Sequence, residues 1–144
     1  MADMFLEKFR SLVPKYLDDQ WNEADGLNGE ELRDALAQSK VSIPFVLEEF
    51  YLALGNNEDF MEAYHYFFDP EELEIEDGHL LFLEDEEEKF VWAFKASQLE
   101  VPDPIVYRRN NAKGTWTSEE GTFSEFTLDM FAWVFDELAA ELED

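Results

Sequence analysis

The chain has 144 residues, 46% of them hydrophobic and 16% aromatic, which is enough to build the core of one folded domain. It carries 36 acidic and 10 basic residues, for a formal net charge of −26. Such a charge opposes direct binding to nucleic acid or to an anionic membrane, and it favours a basic protein partner. There is no cysteine, which excludes disulfides and thiolate metal sites and suits a reducing compartment.

The N-terminal segment is acidic where a signal peptide would be basic, and the longest apolar run, 130–135, is too short to span a membrane. We therefore expect a cytoplasmic protein.

Helical spacing dominates the first half of the chain. The apolar face of the first segment consists of Phe5, Phe9, Leu12 and Val13. Pro14 is predicted to end that segment or to begin the next, and helical spacing then continues to Gly26. We therefore interpret residues 1–26 as a helical N-terminal extension. Asn28 and Glu31 match a capping box, which predicts a helix that runs from there to about residue 39.

The most regular helical pattern lies between residues 42 and 55. Apolar side chains recur there at the positions Ile43, Val46, Leu47, Phe50, Tyr51 and Leu54. Pro44 suits the first turn of a helix, and Gly55 suits a left-handed C-cap. We predict a core helix over this segment.

After Pro70 the pattern changes to that of strands. Alternating or continuously apolar runs predict strands near 73–75, 80–83, 90–94, 105–107 and 115–117, with the strand at 90–94 buried on both faces. Thr122 and Glu125 then match a second capping box, ahead of a helix predicted over 124–142. This order predicts a single α+β domain over 1–144. It has N-terminal helices, a central antiparallel sheet of about four to five strands and a C-terminal helix packed on the sheet.

No catalytic motif is present. The sequence lacks a Gly-x-Ser-x-Gly elbow, a phosphate-binding glycine loop and a His-Glu-x-x-His pair. The acidic segments do not match a calcium-binding loop, and no third metal ligand accompanies His65 or His79 at a suitable spacing. We expect a protein that is not an enzyme and has no cofactor or metal. The basic cluster of Arg108, Arg109 and Lys113 is expected to pair with internal carboxylates.

Two acidic segments are candidate partner-binding sites. The first is the run of five acids Glu84, Asp85, Glu86, Glu87 and Glu88, between two apolar strands. It fits a solvated hairpin tip that limits aggregation, or a docking site for a basic partner. The second consists of Glu71, Glu72, Glu74, Glu76 and Asp77. It fits a strand with one solvated face, or part of a broad negative surface if both segments lie on one side of the sheet.

The last helix carries a third candidate. Phe126, Met130 and Trp133 form a stripe beside its main apolar arc. Packing between the sheet and another helix would bury this stripe. If the stripe is exposed instead, Trp133 is a candidate anchor for a partner protein or for a homodimer.

Residues 27–140 resemble the SUKH superfamily, which includes bacterial toxin-immunity proteins and fungal cell-wall-assembly regulators. The likeness rests on the Ile-Pro helix at 43–51 leading to Gly55, the Gly-His-Leu-Leu-Phe strand at 78–82, Trp92, the Asp-Pro-Ile-Val segment at 103–106, Trp116 and the Phe-Ser-Glu-Phe helix start at 123–126. The acids at 84–88 replace the family's usual glycine-containing turn, and the segment before residue 25 lies outside the likeness.

The resemblance implies a protein-binding function. Members are not known as enzymes, and the bacterial ones neutralise secreted toxins, often nucleases. Their toxin-binding residues vary, so none is transferred to this chain. We therefore expect an immunity protein that binds and occludes a basic, nucleic-acid-targeting toxin. The alternative is a regulatory or scaffold module that binds a cellular protein.

Overall fold

Helices occupy the first half and the end of the chain in the computed structural model, which describes residues 5–17 and 19–138. The α-helices within these residues are α1 (Leu6–Arg10), α2 (Leu12–Tyr16), α3 (Gly29–Ser39), α4 (Phe45–Leu54), α5 (Glu58–Met61) and α6 (Phe123–Ala132). A π-helical turn, Trp133–Leu138, continues α6. Short 3-10 turns cover Glu23–Asp25, Pro70–Glu72 and Ala96–Gln98.

The strands form one antiparallel sheet. They are β1 (Tyr66–Phe67), β2 (Glu74–Glu76), β3 (His79–Glu84), β4 (Phe90–Lys95), β5 (Ile105–Asn110) and β6 (Thr115–Thr122). The order is β1-β3-β4-β5-β6, and β2 also pairs with β3. The predicted α+β class with its antiparallel sheet and C-terminal helix is confirmed. The sheet of the described residues has one strand more than predicted, because the two residues of β1 are too few to show an alternating pattern.

A single aromatic core joins the helices to one face of the sheet. Fully buried side chains of this core include Phe9, Phe50, Phe60, Phe82, Phe94, Phe123 and Phe131. The first helical face is buried as predicted, and the β4 strand is buried on both faces. The opposite face of the sheet holds a smaller cluster of Leu81, Val91 and Ala93, on which Trp116 packs.

The N-terminal segment departs from the prediction. The helix breaks at Ser11, because Pro14 has no N–H to donate to the carbonyl of Arg10, and Pro14 lies in the first turn of α2, in line with the second predicted alternative. Continuous helix does not extend to Gly26, since after α2 only the 3-10 turn Glu23–Asp25 is helical among the described residues of this segment. Instead Trp21 donates a hydrogen bond from Nε1 to the carbonyl of Ala53 at 2.6 Å, which holds this segment in an irregular path against α4.

The termini of α3 and α4 depend on local backbone contacts. The predicted capping box of α3 is confirmed, since Asn28 Oδ1 accepts from the Glu31 N–H at 2.8 Å. Pro44 is the N-cap of α4 rather than part of its first turn. The predicted left-handed C-cap at Gly55 is wrong, because Gly55 has φ −61°. A Cβ there would lie 2.6 Å from the Tyr51 carbonyl oxygen, so this position requires glycine for its close packing.

The C-terminal helix begins with its predicted capping box, in which the N–H of Thr122 donates to Glu125 Oε1 at 3.0 Å. The α-helix begins at Phe123, and its geometry changes to a π-turn at Trp133 rather than continuing regularly. The rest of the predicted helix, 139–142, lies outside the described residues.

Candidate protein-binding surface

The strand register brings one acid of each segment, Glu74 and Glu84, onto the same face of the sheet. Glu74 lies opposite Leu81, and Glu84 lies opposite Val91. Residues that are directly opposite in an antiparallel pair point to the same face. Because Leu81 and Val91 both belong to the outer apolar cluster, Glu74 and Glu84 share that outer face.

β1 and β2 lie along the same edge of β3, and an acidic cleft opens beside them. The cleft has a volume of about 630 Å³. The carboxylates that line it are those of Glu58, Glu62, Asp69, Glu72, Glu74 and Glu84. No lysine, arginine or histidine is among the described residues that line it. This cleft therefore concentrates negative charge without an internal counter-ion.

The crowding of these carboxylates is reflected in their proton affinity. Partial burial raises the pKa of Glu84 above its ordinary value, and the charges of Glu88 and Glu72 raise it further. Partial burial likewise raises the pKa of Asp69, with Glu72 as the next contributor. A cation bound in the cleft would relieve this repulsion.

The tip of the β3–β4 hairpin uses its acids in different ways. Asp85 Oδ1 accepts hydrogen bonds from the N–H groups of Lys89 at 2.7 Å and Phe90 at 3.4 Å, so Asp85 shapes the turn. Glu86 and Glu88 are exposed, and the exposed Glu87 pairs with Lys89 at 2.7 Å. Only Glu84 of this segment lines the cleft.

The second acidic segment is also divided between two environments. Glu72 and Glu74 line the cleft, and Glu71 is exposed within the 3-10 turn that precedes β2. Glu76 lies 3.3 Å from the guanidinium of Arg109, which also contacts Asp77 at 3.1 Å. The alternating pattern predicted that one face of β2 would be buried, and this prediction is wrong. All three of its residues are exposed, because β2 is a short strand at the sheet edge.

Trp133, Tyr64 and His65 form an aromatic ridge. Trp133 is 40% exposed and packs edge-on against Tyr64, which is itself 44% exposed, with ring centroids 5.2 Å apart. The ring of His65 lies 4.6 Å from that of Tyr64 and 4.4 Å from that of Trp92. Partial burial lowers the pKa of His65, and the nearby Asp85 opposes this effect. Trp133 is therefore not buried between the sheet and another helix, whereas Phe126 and Met130 of the same stripe are half-buried.

A second groove runs beside Trp133, with a volume of about 400 Å³. Phe126, Met130 and Trp133 form its apolar wall. Its acidic side chains are Glu119, Glu120, Glu125 and Asp129.

In residues 5–17 and 19–138, no three His, Asp or Glu side chains are grouped to hold a metal ion. Within the same ranges, no helix combines the length and the apolar character that crossing a bilayer requires.

Comparisons with protein families, with curated proteins and with solved structures find no match to this chain. Of the cleft residues, the sequence singled out Glu72, Glu74 and Glu84 but not Glu58, Glu62 or Asp69. The i, i+4 spacing of Glu58 and Glu62 was the one local signal that two of these carboxylates share a helix face.

Proposed function

We propose that this chain is an acidic protein-binding domain, and more specifically an immunity protein that binds and occludes a basic, nucleic-acid-targeting toxin. The observation that carries the proposal is the cleft beside β1 and β2, whose lining carboxylates have no basic side chain among them in the part of the chain that the structure describes. Tyr66 also lines the cleft and is 38% exposed, so the site combines negative charge with an aromatic contact. Tyrosine is enriched at the buried centres of protein interfaces.

The charge of the cleft defines the chemistry of its partner. Lysine and arginine side chains complement carboxylates, and a net charge of −26 extends the attraction beyond the cleft itself. Such a field raises association rates by about 10–10³-fold at low ionic strength. It also repels anionic macromolecules, so a basic protein is the favoured occupant.

A nuclease must present a basic surface to the phosphates of its substrate. An acidic protein bound to that surface excludes the substrate, because both are attracted to the same basic side chains. The resemblance to the SUKH superfamily supports a toxin as the basic partner. A neighbouring gene that encodes a toxin domain would favour this function over a regulatory scaffold, and a solitary gene would favour the scaffold.

The test begins with capture of partners from a lysate of the source cells at low and at moderate salt, with identification by mass spectrometry. The cleft variant combines Glu62→Gln, Glu74→Gln and Glu84→Gln. The wild type is expected to retain a basic toxin domain at low salt, and the cleft variant is expected to lose it. The purified pair is then assayed for stoichiometric inhibition of the toxin's activity.

A matched control removes the same number of charges elsewhere. It combines Glu7→Gln, Glu48→Gln and Glu100→Gln, which change exposed residues outside the acidic cleft and outside the groove beside Trp133. This control is expected to retain the partner. Equal loss in both variants would assign the effect to net charge rather than to the cleft. Binding that does not weaken with salt would contradict the electrostatic part of the proposal, and a non-toxin partner would favour the scaffold function.

A further inference from the structure

We infer that the groove beside Trp133 is an anchor subsite that receives an apolar side chain from a lysine- or arginine-rich segment of the partner. This inference rests on the proposed function, since it assigns the affinity of the same interaction to a particular part of the surface. The acidic cleft would accelerate the encounter, and the anchor would slow dissociation.

The groove has an apolar wall, and its volume of about 400 Å³ leaves room for a side chain of a partner. Phe126, Met130 and Trp133 occur at i, i+4 and i+7, so they form one stripe along α6 and into the π-turn. Trp133 retains 40% of its exposure although it packs against Tyr64. An exposed tryptophan beside half-buried apolar side chains is typical of the anchors that dominate protein interfaces.

The charge around the groove selects its occupant. Glu119, Glu120, Glu125 and Asp129 are acidic, and no basic side chain is among the described residues that line the groove. Glu119 Oε1 lies 4.0 Å from Arg108 Nε, and Glu119 Oε2 accepts from Trp92 Nε1 at 3.4 Å. Glu120, Glu125 and Asp129 are exposed and can contact lysine or arginine side chains that flank the anchor.

The same charge disfavours two other occupants. The C-terminal residues 139–144 include Glu141, Glu143 and Asp144, so this tail would add negative charge to an already acidic groove. A second copy of the chain has the same disadvantage, because each copy carries a net charge of −26. A basic segment of a different protein is the occupant whose charge complements the groove.

The test uses a defined probe, a short amphipathic peptide of lysine and leucine at helical spacing. Its companion has serine in place of each leucine and the same charge. Binding is followed through the indole N–H resonance of Trp133 in the full-length protein, assigned by its loss in Trp133→Phe. We expect the lysine–leucine peptide to shift this resonance and to bind at least roughly tenfold more weakly to Trp133→Ala. The lysine–serine peptide should bind weakly to both proteins.

Two variants make the result specific. Ile75→Ala removes another exposed apolar side chain that also lies between acids, and it should leave the affinity unchanged. Leu142→Ser changes the large apolar residue of the C-terminal tail. A shift of the Trp133 resonance in that variant without peptide would assign the groove to the tail and overturn the inference. Self-association that is lost in Trp133→Ala would overturn it in favour of a second copy.

The inference and the proposed function can fail separately. If the cleft variant weakens binding of a basic partner while Trp133→Ala does not, the anchor subsite is wrong and the proposed function stands. If the peptide binds through Trp133 but no basic partner depends on the cleft, the groove is a binding site and the proposed function is wrong.

Discussion

The carboxylate of Glu49 accepts a hydrogen bond from the backbone N–H of Phe5 at 2.8 Å, and it also accepts from the N–H of Leu6 at 3.2 Å. Glu49 is only 2% exposed, although it belongs to a helix of mostly apolar residues. The first N–H groups of a helix have no partner within the helix. A buried acid in α4 therefore satisfies the N-terminus of α1 and holds it against the core.

Removal of this carboxylate should release α1. We expect Glu49→Ala to lower the free energy of unfolding by about 2–3 kcal/mol, because it leaves buried backbone donors unsatisfied. Glu49→Gln keeps an acceptor oxygen and should cost about 1 kcal/mol. Urea unfolding measures both values, and faster amide hydrogen exchange in α1 would locate the effect. The neighbouring Glu48→Ala, at an exposed position, should change little, and an equal loss there would contradict this role for Glu49.

Substitution of two nearby glycines by alanine should change the stability of the protein in opposite directions. A Cβ on Gly26 would lie 1.8 Å from the backbone oxygen of Leu52, so Gly26→Ala forces the segment away from α4. We expect it to cost about 3 kcal/mol or more. Gly29 begins α3 in open space, with its nearest neighbour 4.0 Å away, so Gly29→Ala should stabilise the helix by about 0.5 kcal/mol. Thermal unfolding of both variants checks the contrast, which would be wrong if the two midpoints moved together.

The folded protein should be more stable when one of the negative charges in the cleft is removed. The raised pKa of Glu84 means that folding disfavours its ionised form, so its charge lowers stability at neutral pH. As the pH falls through this raised pKa, the folded protein takes up the proton and the penalty disappears. We expect Glu84→Gln to raise the unfolding midpoint by about 1–2 °C at pH 7, the size of a weak exposed charge interaction.

Measurements at several pH values test the sign of this effect. The advantage of Glu84→Gln should shrink as the pH falls towards the ordinary range of a glutamate. Glu100→Gln, at an exposed position outside the cleft, serves as the control. A destabilised Glu84→Gln at neutral pH would mean that the carboxylate has a favourable partner in the folded protein.

Two tryptophans should differ in what they contribute. Trp116 covers the apolar cluster on the outer face of the sheet, and His79 stacks on it with ring centroids 3.7 Å apart. Trp116→Ala should lower the free energy of unfolding by about 2 kcal/mol. Trp133→Ala should cost less, about 1 kcal/mol, since Trp133 is 40% exposed and its ring packs edge-on against that of Tyr64. Urea unfolding of both variants tests this, and a large loss in Trp133→Ala would make Trp133 a structural residue.

The sequence predicted the beginnings of two helices correctly, because the signals for them involve residues close together in the chain. The capping boxes at Asn28 and Thr122 mark the beginnings of α3 and α6, because their hydrogen bonds involve residues only three positions apart. The close packing at Gly55 could be predicted only in part, since an added Cβ would meet not only the nearby Tyr51 carbonyl oxygen at 2.6 Å but also Leu27 Cγ at 3.0 Å. The contact with Leu27 depends on how two distant segments pack.

The candidate surface was predictable only in part for the same reason. The sequence predicted Glu74 in a strand and Glu84 in a hairpin tip, but their shared face depends on a register shift in the β3–β4 pairing between Leu81 and Leu83. Asp69 was not among the predicted site residues. It joins the cleft because β1 and β2 lie along one edge of β3, and no spacing in the sequence specifies that arrangement.

The sheet has a consequence for the solubility of this aromatic-rich chain. One of its edges is formed by β1 and β2, which offer only two and three residues to another strand. The other edge is β6, which carries Glu119 and Glu120, and Glu120 adopts a left-handed backbone with φ 62°. Short strands, charge and an irregular backbone all hinder intermolecular strand pairing. Near pH 4, where carboxylates become neutral, β6 should be the first edge through which copies of the chain aggregate.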